Sequence, residues 1–192
     1  MSDALGVAEA ARRIRAGTLS SEALVRSCLE RIAAREPAVG AWTWMDPERA
    51  LVAAREADRR EPTGLLHGVP IAAKDIIDTF DMPTGLGFPP YATRQPSWDA
   101  ACVAACRRAG AIVLGKTVTT EFAYFAPGKT RNPINLNATP GGSSSGSAAA
   151  VADGMVPMAF GSQTAGSLVR PAAFCGIYGY KGSHGEFSLA GI

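Results

Sequence analysis

Three short apolar runs constrain the fold of this chain more than any other feature. They are residues 69–73 (VPIAA), 111–114 (AIVL) and 156–160 (VPMAF), each with glycine close by. Runs of four or five residues are too short for helices and suit buried strands. Residues 97–108 read as a helix, with Ser97 as cap and Gly110 as stop. A strand, a helix and then a β-branched strand predict a crossover unit, and with it an α/β fold.

The first sixty residues have a different period. Residues 4–16 are largely apolar and helical in character, and Gly17 follows where a C-cap belongs. Ser20 can cap a second helix, with Glu22 in its first turn. Val25, Cys28, Leu29 and Ile32 then form one buried stripe at i, i+3, i+4, i+7 spacing, and Pro37 is expected to end it. Residues 41–45 read as a short strand or connector. Asp46-Pro47 opens a third helix, whose apolar face is Ala50, Leu51 and Ala54. The expected division is a helical segment, 1–60, packed on a core formed by 61–192. Most of the 21 glycines and 13 prolines lie in that second part, so it carries the special turns.

Charge and composition narrow the function. Lys plus Arg total 19 and Asp plus Glu 17, a net charge of +2, with the cations spread along the chain. That argues against direct nucleic-acid binding and against a membrane-surface protein. With 47% apolar and 19% charged residues, the chain is not intrinsically disordered. The start, MSDALG, lacks the basic and apolar regions of a signal peptide, and no stretch approaches membrane-spanning length. Cys28, Cys102, Cys106 and Cys175 form no CxxC pair and read as small buried residues. A soluble cytoplasmic protein with reduced thiols is expected.

Three places could carry chemistry. Residues 141–147 (GGSSSGS) enter an alanine-rich helix, so their N–H groups could cradle an anion or simply cap that helix. Residues 161–167 (GSQTAGS) follow an apolar run, and the turn could aim consecutive N–H groups at an oxyanion or end in a capping serine. Lys74 ends the first apolar run, one of only four lysines. Burial there would lower its pKa and make it a base; a salt bridge to Asp75 is the structural alternative. Serine nucleophiles need a base. No Gly-x-Ser-x-Gly elbow in a convincing strand–turn–helix setting surrounds Ser144 or Ser167, and His67 before Gly68 can simply close a turn, so lysine is a better candidate base than His67 or His184.

The stretch 141–181, GGSSSGSAAAVADGMVPMAFGSQTAGSLVRPAAFCGIYGYK, resembles the amidase signature family, and HGVPIAAKD at 67–75 resembles that family's lysine segment. The resemblance covers about residues 5–192. It implies an α/β/α sandwich around a mixed sheet, here apparently truncated because family members run to well over twice this length. It implies a triad of Lys74, Ser143 and Ser167. Ser167 would attack an amide carbonyl, and Ser143, typically preceded by a cis peptide in this family, would relay the proton to neutral Lys74. Thr164, Ala165 and Gly166 would supply the oxyanion hole. The spacing SLVRP is similar to malonamidase-like small-substrate amidases and makes Arg170 a candidate for a substrate carboxylate. Ala165 stands where most relatives have glycine, and Gly182 where proline is usual.

The implied function is hydrolysis of a small-molecule carboxylic amide through a Ser167 acyl-enzyme, with no metal or organic cofactor. Two alternatives remain. One is an inactive amidase fragment that needs a partner, whether a second copy or a missing C-terminal half. The other is the glutamine-hydrolysing subunit of a tRNA-dependent amidotransferase.

Overall fold

A computed structural model describes residues 5–192; the expected helix start at Ala4 lies outside the described residues. Helix α1 spans Val7–Arg15, and Gly17 follows its end at φ +68°. Helix α2, Ser21–Val39, is capped by Ser20, whose hydroxyl accepts from the Ala23 N–H. It buries Val25, Cys28 and Ile32 as the stripe predicts. It does not end at Pro37. The helix runs on through the proline, which forfeits one intrahelical N–H bond, and Gly40 closes it in the left-handed region. The Glu36 carboxylate then accepts from the N–H groups of Ala41 and Trp42, turning the chain into strand β1, Trp42–Met45. Helix α3, Pro47–Asp58, starts on the Asp46 cap with Ala50 and Ala54 buried.

Strand β2 is Pro70–Lys74, helix α4 is Ala101–Arg108 and strand β3 is Ile112–Thr117. β2 and β3 pair in parallel across α4, the expected crossover. The helix begins three residues later than Ser97 as cap would have it. Ala100 occupies the cap position, and Asp99 accepts from the Phe80 N–H and pairs with Arg107. Helix α5 is Ser145–Ala152, strand β4 only Ala159–Phe160, and helix α6 Val169–Phe174. Pro171 lies in the first turn of α6, where no intrahelical N–H is needed.

The four strands form one mixed sheet in the order β1-β3-β2-β4, with β1 antiparallel to β3 and β4 parallel to β2. Both β2 and β3 are buried along their whole length. One core joins α1, α2, α3 and α5 to Ala72, Ile112 and Leu114; another joins Val103 of α4 to Ile71, Ala73 and Val113. Alternate residues of each strand therefore face helices on opposite sides. All four cysteines are free thiols, Cys28 and Cys175 buried. Among the described residues no helix is long and apolar enough to cross a membrane.

Candidate active site

The site lies beyond the carboxyl ends of β2, β3 and β4. Ligands of parallel sheets characteristically bind there, because loops leave the strands at that edge. Lys74, the last residue of β2, pairs in register with Thr117 of β3; Ala73 beside it pairs with Phe160 of β4. Lys74 is 0% exposed. Its Nζ donates to Ser143 Oγ at 2.6 Å and to Ser162 Oγ at 2.8 Å. Burial lowers its pKa from the ordinary 10.5 to about 7, because the ammonium has lost its hydration. The amine is thus available near neutrality.

The neighbouring carboxylate does not partner this lysine. Asp75 turns to Lys116, a second fully buried lysine, whose Nζ lies 3.7 Å from Asp75 Oδ1. Successive strand residues face opposite sides of a sheet, so a sequence neighbour is a poor partner. Lys116 donates to the carbonyl of Ile77 at 2.7 Å and to Thr84 Oγ1 at 2.6 Å. Burial brings it to about 8, with Asp75 opposing the shift. Burial raises the Asp75 pKa, opposed first by the Lys116 charge. The Asp75 carboxylate and carbonyl also accept from Gly85 and Leu86, which fixes the loop after β2.

Ser143 is buried and follows a cis peptide from Gly142. Its carbonyl accepts from the Thr120 N–H. The 141–147 segment spends several of its N–H groups inside the fold. Its Ser144 N–H donates to the Ser167 carbonyl at 3.0 Å, and its Gly146 N–H to the Val118 carbonyl at 2.9 Å. A β-carbon on Gly146 would lie 2.3 Å from both the Ala41 carbonyl oxygen and Val118 N, so only glycine admits this approach of α5 to the sheet.

Ser167 ends the second turn. The link between the two serine segments is the Ser144–Ser167 backbone bond; among the described residues no hydrogen bond joins the hydroxyls of Ser143 and Ser167. Gln163 Oε1 accepts from the N–H groups of Leu168 and Val169 at 3.1 and 2.9 Å, closing the turn on itself. The N–H groups of Thr164, Ala165, Gly166 and Ser167 have no partner among the described residues. Ala165 does not adopt positive φ, so its methyl imposes no strain there. Arg170 is exposed and has no carboxylate partner among the described residues; its Nη2 would lie 2.9 Å from a β-carbon on Gly166. Neither histidine contacts a serine hydroxyl among the described residues, and His67 Nε2 lies 3.0 Å from the Ala57 carbonyl.

Ser162 and Gln163 carry contacts that sequence reasoning did not anticipate. Both lie inside the GSQTAGS turn, but nothing in their spacing tells which neighbour each side chain meets. No cluster of three or more His, Cys, Asp or Glu side chains suited to a metal ion occurs among the described residues.

Comparison with known proteins adds the family. The Amidase family model matches residues 23–192. One subunit of the glutamyl-tRNA(Gln) amidotransferase of Acidothermus cellulolyticus is 45% identical over 194 residues, covering 96% of this chain and 38% of that protein. Its counterpart from Chloroflexus aurantiacus is 40% identical over 198 residues, 98% of this chain and 41% of that protein. The crystal structure of native peptide amidase from Stenotrophomonas maltophilia superposes with TM-score 0.93 at 38% identity, over 99% of this chain and 42% of that one. The chain thus spans about two fifths of the length of these relatives.

Proposed function

Since this chain belongs to the Amidase family, we propose that it carries the reacting residues of an amide hydrolase, with Ser167 as nucleophile, Ser143 as relay and Lys74 as base. One observation carries the reading: a fully buried lysine, at about 7, is within 2.6 Å of the Ser143 hydroxyl. A base near the working pH combines a useful deprotonated fraction with proton affinity.

In this reading neutral Lys74 draws the proton of Ser143, and Ser143 draws that of Ser167. Ser167 Oγ then adds to the amide carbon. The charge that develops on the amide oxygen meets the N–H groups of Thr164, Ala165, Gly166 and Ser167. Groups already in place there need no reorganisation during reaction. The relay returns a proton to the leaving nitrogen, the acyl-enzyme forms, and water hydrolyses it. Arg170, beside the turn, would receive a substrate carboxylate; its guanidinium suits bidentate contact.

A second reading is favoured by the names of the relatives. The same chemistry on glutamine, delivering ammonia to partner proteins, is what a component of such an amidotransferase would do, and the partners would then be protein chains.

Intact-mass labelling with a serine-reactive fluorophosphonate tests the proposal. One adduct is expected on the wild-type chain, lost in Ser167→Ala and Lys74→Ala. A folded wild-type chain that takes no probe, or an adduct that survives Ser167→Ala, overturns the claim that these 192 residues assemble the reactive set.

A further inference from the structure

Ser162 is unused by the mechanism above, yet it touches the group at its centre. Among the described residues the Lys74 amine has two partners, both hydroxyls: Ser143 at 2.6 Å and Ser162 at 2.8 Å. We propose that Ser162 is a positioning residue, holding one Lys74 N–H so that the amine lone pair faces Ser143. The inference rests on the amide-hydrolase reading and deepens it.

The argument is one of valence. A neutral amine has two N–H bonds and one lone pair. To take a proton from Ser143, the lone pair must point at that hydroxyl, so the Lys74 N–H bonds must be engaged elsewhere. Ser162 Oγ is the acceptor that lies in reach. Without it, rotation about the last side-chain bond aims an N–H at Ser143 as readily as the lone pair.

Ser162 is itself held. It follows β4, whose Phe160 pairs with Ala73, one residue before the lysine. Its N–H donates to Ser144 Oγ at 3.2 Å, and its carbonyl accepts from the same hydroxyl at 3.3 Å. Ser144 follows Ser143 directly. One side chain therefore joins the segment carrying the relay serine to the turn carrying Ser167, and Ser162 stands at that junction facing Lys74.

The test compares wild type, Ser162→Ala and Ser162→Thr. Lysine Cε chemical shifts, read by NMR against pH on isotope-labelled lysine, report the Lys74 titration; with four lysines in the chain, Lys74→Met assigns the signal. The fluorophosphonate labelling rate is followed over the same pH range. Ser162→Ala is expected to lower the Lys74 midpoint, since the ammonium loses an acceptor, and so to leave more neutral amine. Its labelling rate on the high-pH plateau should nevertheless fall about tenfold, the effect of one net hydrogen bond. Ser162→Thr should keep both values. An unchanged Lys74 titration in Ser162→Ala overturns the contact. A shifted titration with an unchanged plateau overturns the positioning role. A wild-type chain that takes no probe removes the hydrolase reading instead, and the lysine titration then decides the Ser162 contact alone.

Discussion

Replacing Lys74 with methionine should stabilise this fold near neutrality and lose that advantage as the pH rises. The unfolded lysine holds its proton up to 10.5, the folded one only to about 7. Across that window the unfolded chain binds more protons, so wild-type stability rises with pH. Integrating the two titrations gives a penalty of about 4 kcal/mol at about pH 7 and about 1 kcal/mol at about pH 9.5. Methionine carries neither. The lost bonds to Ser143 and Ser162 cost roughly 1 kcal/mol each, a loss that does not depend on pH, so it cancels when the two pH values are compared. The stability difference between Lys74→Met and wild type should therefore shift by about 3 kcal/mol, in the direction of wild type, between about pH 7 and about pH 9.5. Urea unfolding followed by circular dichroism measures it. A difference that stays constant across that interval would refute the claim that the fold keeps Lys74 desolvated.

Further substitutions probe how the site is held. Lys116→Ala should cost about 3–5 kcal/mol in urea unfolding, because it strands the buried Asp75 carboxylate and frees the Ile77 carbonyl and Thr84 hydroxyl. Gly146→Ala should cost about 3 kcal/mol and lower the thermal midpoint, because its β-carbon would press on backbone atoms 2.3 Å away that cannot yield cheaply. Asp153→Ala should cost about 2 kcal/mol by equilibrium unfolding: the buried carboxylate clamps Arg31 and Arg35 of α2, but both arginines are partly exposed.

How much of this was legible beforehand differs by element. The capped helices were plain, since Ser20 and Asp46 act on N–H groups three residues away and need nothing from the rest of the chain. Strand β2 was plain because residues buried on both faces read as one apolar run. Pro37 and Ser97 misled, because α2 runs on through its proline and because Asp99, not Ser97, is engaged at the start of α4. Strand β4 shrank to two residues where five were expected; its apolar run is continuous, but only Ala159 and Phe160 pair in register with β2, and Met158 adds one carbonyl that accepts from Ala72.

The order of elements, the family pattern and the three side chains to watch, Lys74, Ser143 and Ser167, were all written in one dimension. Local spacing and turn chemistry act over a few residues, so they can be read without knowing the fold. Who meets whom was settled in three dimensions. Lys74 turns from Asp75, its neighbour in the chain, to hydroxyls 69 and 88 residues away, and Asp75 turns to Lys116. Those partners depend on strand register and on the depth at which a side chain loses water. Both arise when the sheet closes against its helices, and only then does burial pull an ordinary lysine down to about 7.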